Sequence, residues 1–122
     1  MLEKLIGAQI VSIDESTIEV KLDGKVHTLE IVSDNGDCCG YADFTTKLLY
    51  SEGDFRNPII TNVDVDYRGY SDGDSSIVTF YGEYKPLATI ESEATSGSGW
   101  SYGAYVNIRC NTLDIDEDLA SW

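Results

Sequence analysis

Alternation of apolar and polar residues with a period of two dominates the start of the chain. The segments 17–22 and 25–31 both alternate in this way and are rich in β-branched side chains, which is typical of strands half buried in a sheet. Asp23 and Gly24 stand between them, and a two-residue Asp-Gly loop favours a tight hairpin turn with positive φ at both residues. The segment 7–13 has the same pattern, so the sequence predicts an opening three-stranded meander.

The rest of the chain adds further predicted strands at 62–67, 76–81, 87–93 and 104–111. A single helix is predicted over 42–50, because Phe44, Leu48 and Leu49 fall near one face and Gly40 precedes them. The acidic segment 113–122 is expected to form either a short helix or a mobile tail. The predicted fold is α+β: one domain over residues 1–122, with a mostly antiparallel sheet of about six or seven strands and one short helix packed on it.

The charge of the chain restricts its partners. It has 22 acidic and 8 basic residues and a formal net charge of −14, so binding to nucleic acid or to an anionic membrane is disfavoured. The ordinary explanation of the charge is solubility. The alternative is that the acidic surface mimics a nucleic-acid backbone and occupies the basic groove of a host protein. No apolar run is long enough to cross a bilayer, and the first residues lack the pattern of a secretory signal, so we expect a cytoplasmic protein.

The stretch NGDCCGYADF contains two neighbouring cysteines, Cys38 and Cys39, and the third cysteine is Cys110. These three thiols with His27 would just complete a four-ligand zinc set, but they lack the usual spacing. A catalytic thiolate would need a base, for which His27 is the single candidate. The third alternative is structural, with a turn at Gly36 and Asp37, a cysteine in the core, and backbone N–H groups that attract an anion. We expect no metal and no cofactor.

Arginine is scarce, which makes each arginine a candidate phosphate ligand because its planar fork suits that anion. The candidates are Arg56, Arg68 and Arg109, with a surface ion pair as the ordinary alternative. Arg109 is favoured because it lies beside the segment GSGWSYGAYVNIR, and alternation is expected to place it on one strand face with Asn107 and Asn111. Aromatic side chains that could stack on a base are Trp100, Tyr102 and Tyr105, with Phe80 and Tyr81 as competitors and packing as the ordinary alternative.

No glycine-rich phosphate loop, HExxH motif or nucleophile elbow is present in the sequence. Paired carboxylates are expected by chance in so acidic a chain. The sequence therefore favours a binding protein over an enzyme.

The GDCCG motif after a three-stranded start, followed by the predicted short helix and later by the glycine- and tyrosine-rich GSGWSYGAYVNIR, resembles a group of small phage and prophage proteins that includes the first type of Thoeris anti-defence proteins. The resemblance covers roughly residues 5–110. It implies an oligomeric sponge in the host cytoplasm that sequesters a cyclic ADP-ribose isomer made by the host's TIR enzyme, without catalysis. Some members are also said to hold cyclic oligonucleotide signals in separate pockets.

The resemblance also implies a homo-oligomer, a dimer or a larger assembly. Two tryptophans, eight tyrosines and three phenylalanines are many for a domain of this size, and they support the same expectation. The alternative function is an acidic inhibitor that mimics nucleic acid and binds a host defence protein.

Overall fold

The computed structural model describes residues 2–35, 40–49, 58–70, 73–83, 85–95 and 103–122. Over these residues the chain forms nine strands in two antiparallel sheets and two short 3-10 turns, Leu2–Leu5 and Asn111–Leu113. The strands are β1 Gln9–Ile13, β2 Thr17–Leu22, β3 Lys25–Asp34, β4 Tyr41–Leu48, β5 Asn62–Tyr70, β6 Gly73–Tyr81, β7 Pro86–Thr95, β8 Tyr105–Cys110 and β9 Ile115–Ser121. No helix in this described part is long and apolar enough to cross a membrane.

The first sheet has the strand order β1-β2-β3-β8-β9 and contains the predicted meander. Leu22 pairs with Lys25 across the loop, and φ is 52° at Asp23 and 79° at Gly24. Two consecutive positive φ values define the primed turn that the Asp-Gly loop predicts. The predicted hairpin of β2 and β3 is therefore confirmed, with its primed turn.

The second sheet has the order β4-β7-β6-β5, and its edge strand β4 replaces the predicted helix. Ala42 to Leu48 pair residue by residue with β7, from Ala42 opposite Ala94 to Leu48 opposite Ala88. Ala42 and Phe44 are turned inward while Asp43 and Thr45 are exposed, which is a period of two. The prediction of a helix was wrong, so the fold is all-β in broad class rather than α+β.

The acidic segment after residue 113 is also a strand. Ile115 and Leu119 are buried, Asp116 and Asp118 are exposed, and β9 pairs with β8 along its whole length. Neither the predicted helix nor the predicted tail is correct here. A register shift between Val106 and Asn107 lets β9 keep its apolar side chains inward.

The hydrophobic core lies between the two sheets and draws on both. In β8 the inward residues are Val106, Ile108 and Cys110, each at most 3% exposed. Facing them from the second sheet are fully buried apolar residues of β6 and β7, including Phe80 and Ile90. Because alternate residues of β8 face the core, Tyr105, Asn107 and Arg109 lie on the opposite, outer face of the first sheet.

Candidate functional site

A groove of about 530 Å³ lies on the outer face of the first sheet, beside β8. Alternation along β8 places Tyr105, Asn107 and Arg109 in one row that lines it. A backbone hydrogen bond of 2.8 Å from Trp122 N to Ala104 O brings Trp122 to the end of the same row. The groove is completed by Gly103, Ala104, Asp118 and Ser121. Three sequence-predicted site residues therefore meet in one depression.

Asn107 is the central side chain of the groove and is only 6% exposed. Its Nδ2 donates to Oδ1 of Asp116 at 2.8 Å and to Oδ1 of Asp118 at 2.9 Å. Its Oδ1 accepts a hydrogen bond of 3.1 Å from Nε of Arg109. The two carboxylates thereby fix the amide, and the amide fixes one edge of the guanidinium.

Arg109 is exposed, and carboxylates flank it on the sheet. Its cross-strand neighbours are Glu30 on β3 and Asp116 on β9. Directly opposed side chains in an antiparallel pair have Cβ atoms about 5 Å apart, so both carboxylates lie near the guanidinium. They lower the positive potential that an approaching anion meets. They also make the site suited to a ligand that offers hydrogen-bond donors as well as an anionic group.

Asn111 does not share this row, because β8 ends at Cys110 and Asn111 begins a 3-10 turn. It lines a second groove of about 220 Å³ together with His27, and Arg109 borders both grooves. Here Thr112 Oγ1 lies 2.7 Å from His27 Nδ1 and 3.4 Å from Cys110 Sγ. The expected one-face arrangement thus holds for Asn107 and Arg109 and fails for Asn111.

Cys110 is the one cysteine among the described residues. Cys110 is buried and has a free thiol, and Thr112 links it to His27. Cys38 and Cys39 lie outside the described residues, as does the predicted turn at Gly36 and Asp37. Among the residues that are described, no three His, Cys, Asp or Glu side chains are grouped to hold a metal ion.

Of the other predicted site residues, those that the structure describes do not line the groove. Phe80 is 1% exposed in the core, so its ring cannot stack on a ligand. Arg68, on β5 of the second sheet, has Nη2 3.4 Å from Oδ2 of Asp66, which is the ordinary surface ion pair. Tyr81 is half-buried at the end of β6, opposite Asn62. Arg56, Trp100 and Tyr102 lie outside the described residues.

Sequence reasoning missed Trp122 and Asp118, which line the groove, and Asp116, which accepts a hydrogen bond from Asn107. Ile115 precedes and Leu119 follows the run of Asp116, Glu117 and Asp118, and these three consecutive acidic residues hide the period of two. Trp122 has no motif around it. Its position depends on backbone pairing with Ala104, which no local pattern reveals.

Comparison of the chain with protein-family models, with curated proteins and with solved structures gives no match.

Proposed function

We propose that this chain binds a small nucleotide of the cyclic ADP-ribose type in the groove beside Arg109 and releases it unchanged. In a phage-infected cell this is the sequestering, anti-defence role that the sequence resemblance implies for Thoeris immunity. The observation that carries the proposal is the row formed by Tyr105, Asn107, Arg109 and Trp122, which combines a held guanidinium with two aromatic side chains.

The guanidinium is the part of the groove suited to a phosphate. Nε of Arg109 is occupied by Asn107, and the two terminal nitrogens are left to form a forked contact. Holding the side chain in place before binding reduces the entropy that ligand binding must overcome. The neighbouring Glu30 and Asp116 oppose a second phosphate at the same point, so one anionic group of the ligand is expected to lie at Arg109.

The aromatic and acidic residues suit the remaining parts of a nucleotide. Tyr105 and Trp122 offer flat apolar surface to an adenine ring at one end of the groove. Asp118 can accept hydrogen bonds from ribose hydroxyls, a role that carboxylates commonly play in nucleotide sites. A volume of about 530 Å³ falls within the range of small-molecule sites.

The groups closest to the proposed phosphate favour binding over turnover. An asparagine amide and an arginine guanidinium neither take up nor release a proton near neutral pH. These two side chains can orient one phosphate of the nucleotide, but they supply no general acid or base for its hydrolysis. We therefore propose a binding protein and not an enzyme.

The alternative, an acidic mimic of nucleic acid, requires carboxylates gathered on one surface. Strand pairing places five acidic and two basic residues on the outer face of each described sheet, so the charge covers both faces. On the first sheet these are Glu19, Glu30, Asp34, Asp116 and Asp118 with Lys21 and Arg109, and on the second Asp43, Asp64, Asp66, Glu91 and Glu93 with Lys47 and Arg68. This even distribution favours the nucleotide-binding proposal.

The test is calorimetric titration with a cyclic ADP-ribose isomer, with linear ADP-ribose as a second probe. Arg109→Ala is expected to weaken binding roughly thirtyfold, which is about 2 kcal/mol, because a charge-assisted contact to phosphate is lost. Arg109→Lys keeps the charge without the fork and should recover part of the affinity. Arg68→Ala, a matched change on the other sheet, should bind like wild type.

Recovery of the ligand gives an independent readout. Heating the complex should release the nucleotide with its mass unchanged, and substoichiometric protein should not consume it. An Arg109→Ala variant that binds as tightly as wild type would place the pocket elsewhere. A linear product would point to an enzyme, and failure of every nucleotide to bind would favour the protein-binding alternative.

A further inference from the structure

The strand β5 forms one outer edge of the second sheet and carries alternating charges. Within the described residues β6 is the single strand that pairs with it, over the whole length from Asn62 to Tyr70. Asp64, Asp66 and Arg68 point to the outer face, whereas Val63, Val65 and Tyr67 point toward the first sheet. A strand of nine residues whose second edge has no partner strand in the described part of the chain is a template for pairing with another strand.

We propose that β5 pairs antiparallel with β5 of a second copy of this chain, in the register that places Tyr67 opposite Tyr67 of that copy. Each Asp66 then faces Arg68 of the other copy on the outer side of the joined sheet. Val65 lies opposite Gly69, which has open space where a Cβ would project. The two four-stranded sheets become one continuous sheet of eight strands.

Charge selects this register among those that keep the apolar side inward. In the register centred on Asp66, two Asp64–Arg68 pairs form but Asp66 faces Asp66, and in the register centred on Arg68 the two Arg68 side chains face each other. Like charges directly opposed are destabilising, whereas opposite charges stabilise the pair. The register centred on Tyr67 is the one that forms two Asp66–Arg68 pairs and no directly opposed like charges over residues 65–69.

The two residues are also available for the contact. The side chain of Asp66 is 50% exposed and that of Arg68 is 66% exposed. Within one chain, Oδ2 of Asp66 lies 3.4 Å from Nη2 of Arg68. Tyr67 is 52% exposed on the inward side of this edge. Its ring would be covered by the same residue of the second copy, which removes an exposed aromatic surface from water.

The other edges of the described sheets are less suited to self-pairing. On β4, the backbone N–H groups of Ala42 and Phe44 donate to side-chain oxygens of Asn35 and Asp43, at 3.0 and 2.8 Å. On β1, Ile10 N donates to Pro58 O at 3.0 Å. Self-pairing of β9 would bring its acidic residues 116–118 together.

The test measures self-association by sedimentation velocity over a wide range of chain concentrations. Wild type should dimerise, and Asp66→Arg and Arg68→Asp should each weaken the dimer by about tenfold or more, because both pairs become repulsive. Asp66→Arg is the sharper of the two variants. It makes the net charge less negative than −14 and so reduces the overall repulsion between two copies. That effect alone would strengthen association, so a weaker dimer must come from the local charge pairs.

Two rescue experiments complete the design. The double variant Asp66→Arg/Arg68→Asp should restore the wild-type dimer, and an equimolar mixture of the two single variants should form heterodimers that native mass spectrometry resolves. Glu91→Arg and Lys47→Asp, on the same outer face, change the charge equally and should leave the dimer intact. Circular dichroism checks that each variant is folded.

A wild type that stays monomeric at every concentration would overturn the proposal. So would a dimer that both single reversals leave unchanged, or a double variant that stays monomeric while folded. The result is independent of nucleotide binding, since no β5 residue lines the groove at Arg109.

Discussion

Asn107 holds Arg109 by a single hydrogen bond, with Oδ1 of the amide accepting from Nε of the guanidinium at 3.1 Å. The amide in turn donates both of its hydrogens to carboxylates, those of Asp116 and Asp118. Nearly every hydrogen-bonding position of this buried side chain is therefore used. Asn107 is the link between the acidic strand β9 and the guanidinium of Arg109.

Replacing Asn107 with alanine should lower the free energy of unfolding by about 1–3 kcal/mol, because two carboxylates and a guanidinium lose a buried partner. It should also weaken nucleotide binding, since Arg109 is no longer oriented. Urea unfolding and calorimetric titration measure the two effects. Asn111→Ala removes an exposed amide outside the row and is the matched control, with little change expected in either quantity. If Asn107→Ala were as stable as Asn111→Ala, the hydrogen bonds of Asn107 would contribute nothing to the free energy of unfolding.

Ser76 and Ser92 face each other across β6 and β7 and are 2% and 5% exposed. Neither hydroxyl has a hydrogen-bond partner in the described structure. A buried polar group without a partner is destabilising, so Ser76→Ala and Ser92→Ala should leave stability unchanged or raise it by up to about 1 kcal/mol. Thermal unfolding measures this, with exposed Ser12→Ala as control. A loss of stability in either variant would mean that the hydroxyl is satisfied.

Asp23 and Gly24 both have positive φ in the turn between β2 and β3, 52° and 79°. Gly24→Ala should cost about 1 kcal/mol of unfolding free energy, because a Cβ disfavours this backbone conformation. Asp23→Asn should be nearly neutral, since asparagine tolerates the left-handed region. Denaturant unfolding of the two variants tests the turn. Equal stability of Gly24→Ala and wild type would contradict the primed geometry.

Burial, followed by the negative charges of Glu117, Asp74 and Asp118, raises the pKa of Tyr67 above its ordinary value of 10.0. The folded chain then keeps this proton to higher pH than the unfolded chain does. The resulting stability is fully present below pH 10.0 and is lost as the pH rises through the folded pKa. Tyr67→Phe should therefore lose less unfolding free energy between neutral and alkaline pH than wild type does. Denaturant unfolding curves at the two pH values would measure this difference. If the unfolding free energy of Tyr67→Phe fell with alkaline pH as steeply as that of wild type, Tyr67 would not be the group responsible.

Local patterns in the sequence determined seven of the strands and the turn between β2 and β3. The Asp-Gly pair and the alternation on both sides of it act between neighbouring residues, so the hairpin could be read without knowing the rest of the chain. The grouping of Asn107 with Arg109 was predictable for the same reason, because a period of two places them on one face.

Long-range pairing decided the rest. The segment 42–48 has apolar residues spaced for either a helix or a strand, and pairing with β7 selects the strand. The acidic segment after residue 113 lacks a clear pattern, yet pairing with β8 makes it a strand and brings Asp116 and Asp118 to Asn107. Contacts between residues far apart in the chain depend on the register of the whole sheet, which local side-chain preferences cannot specify.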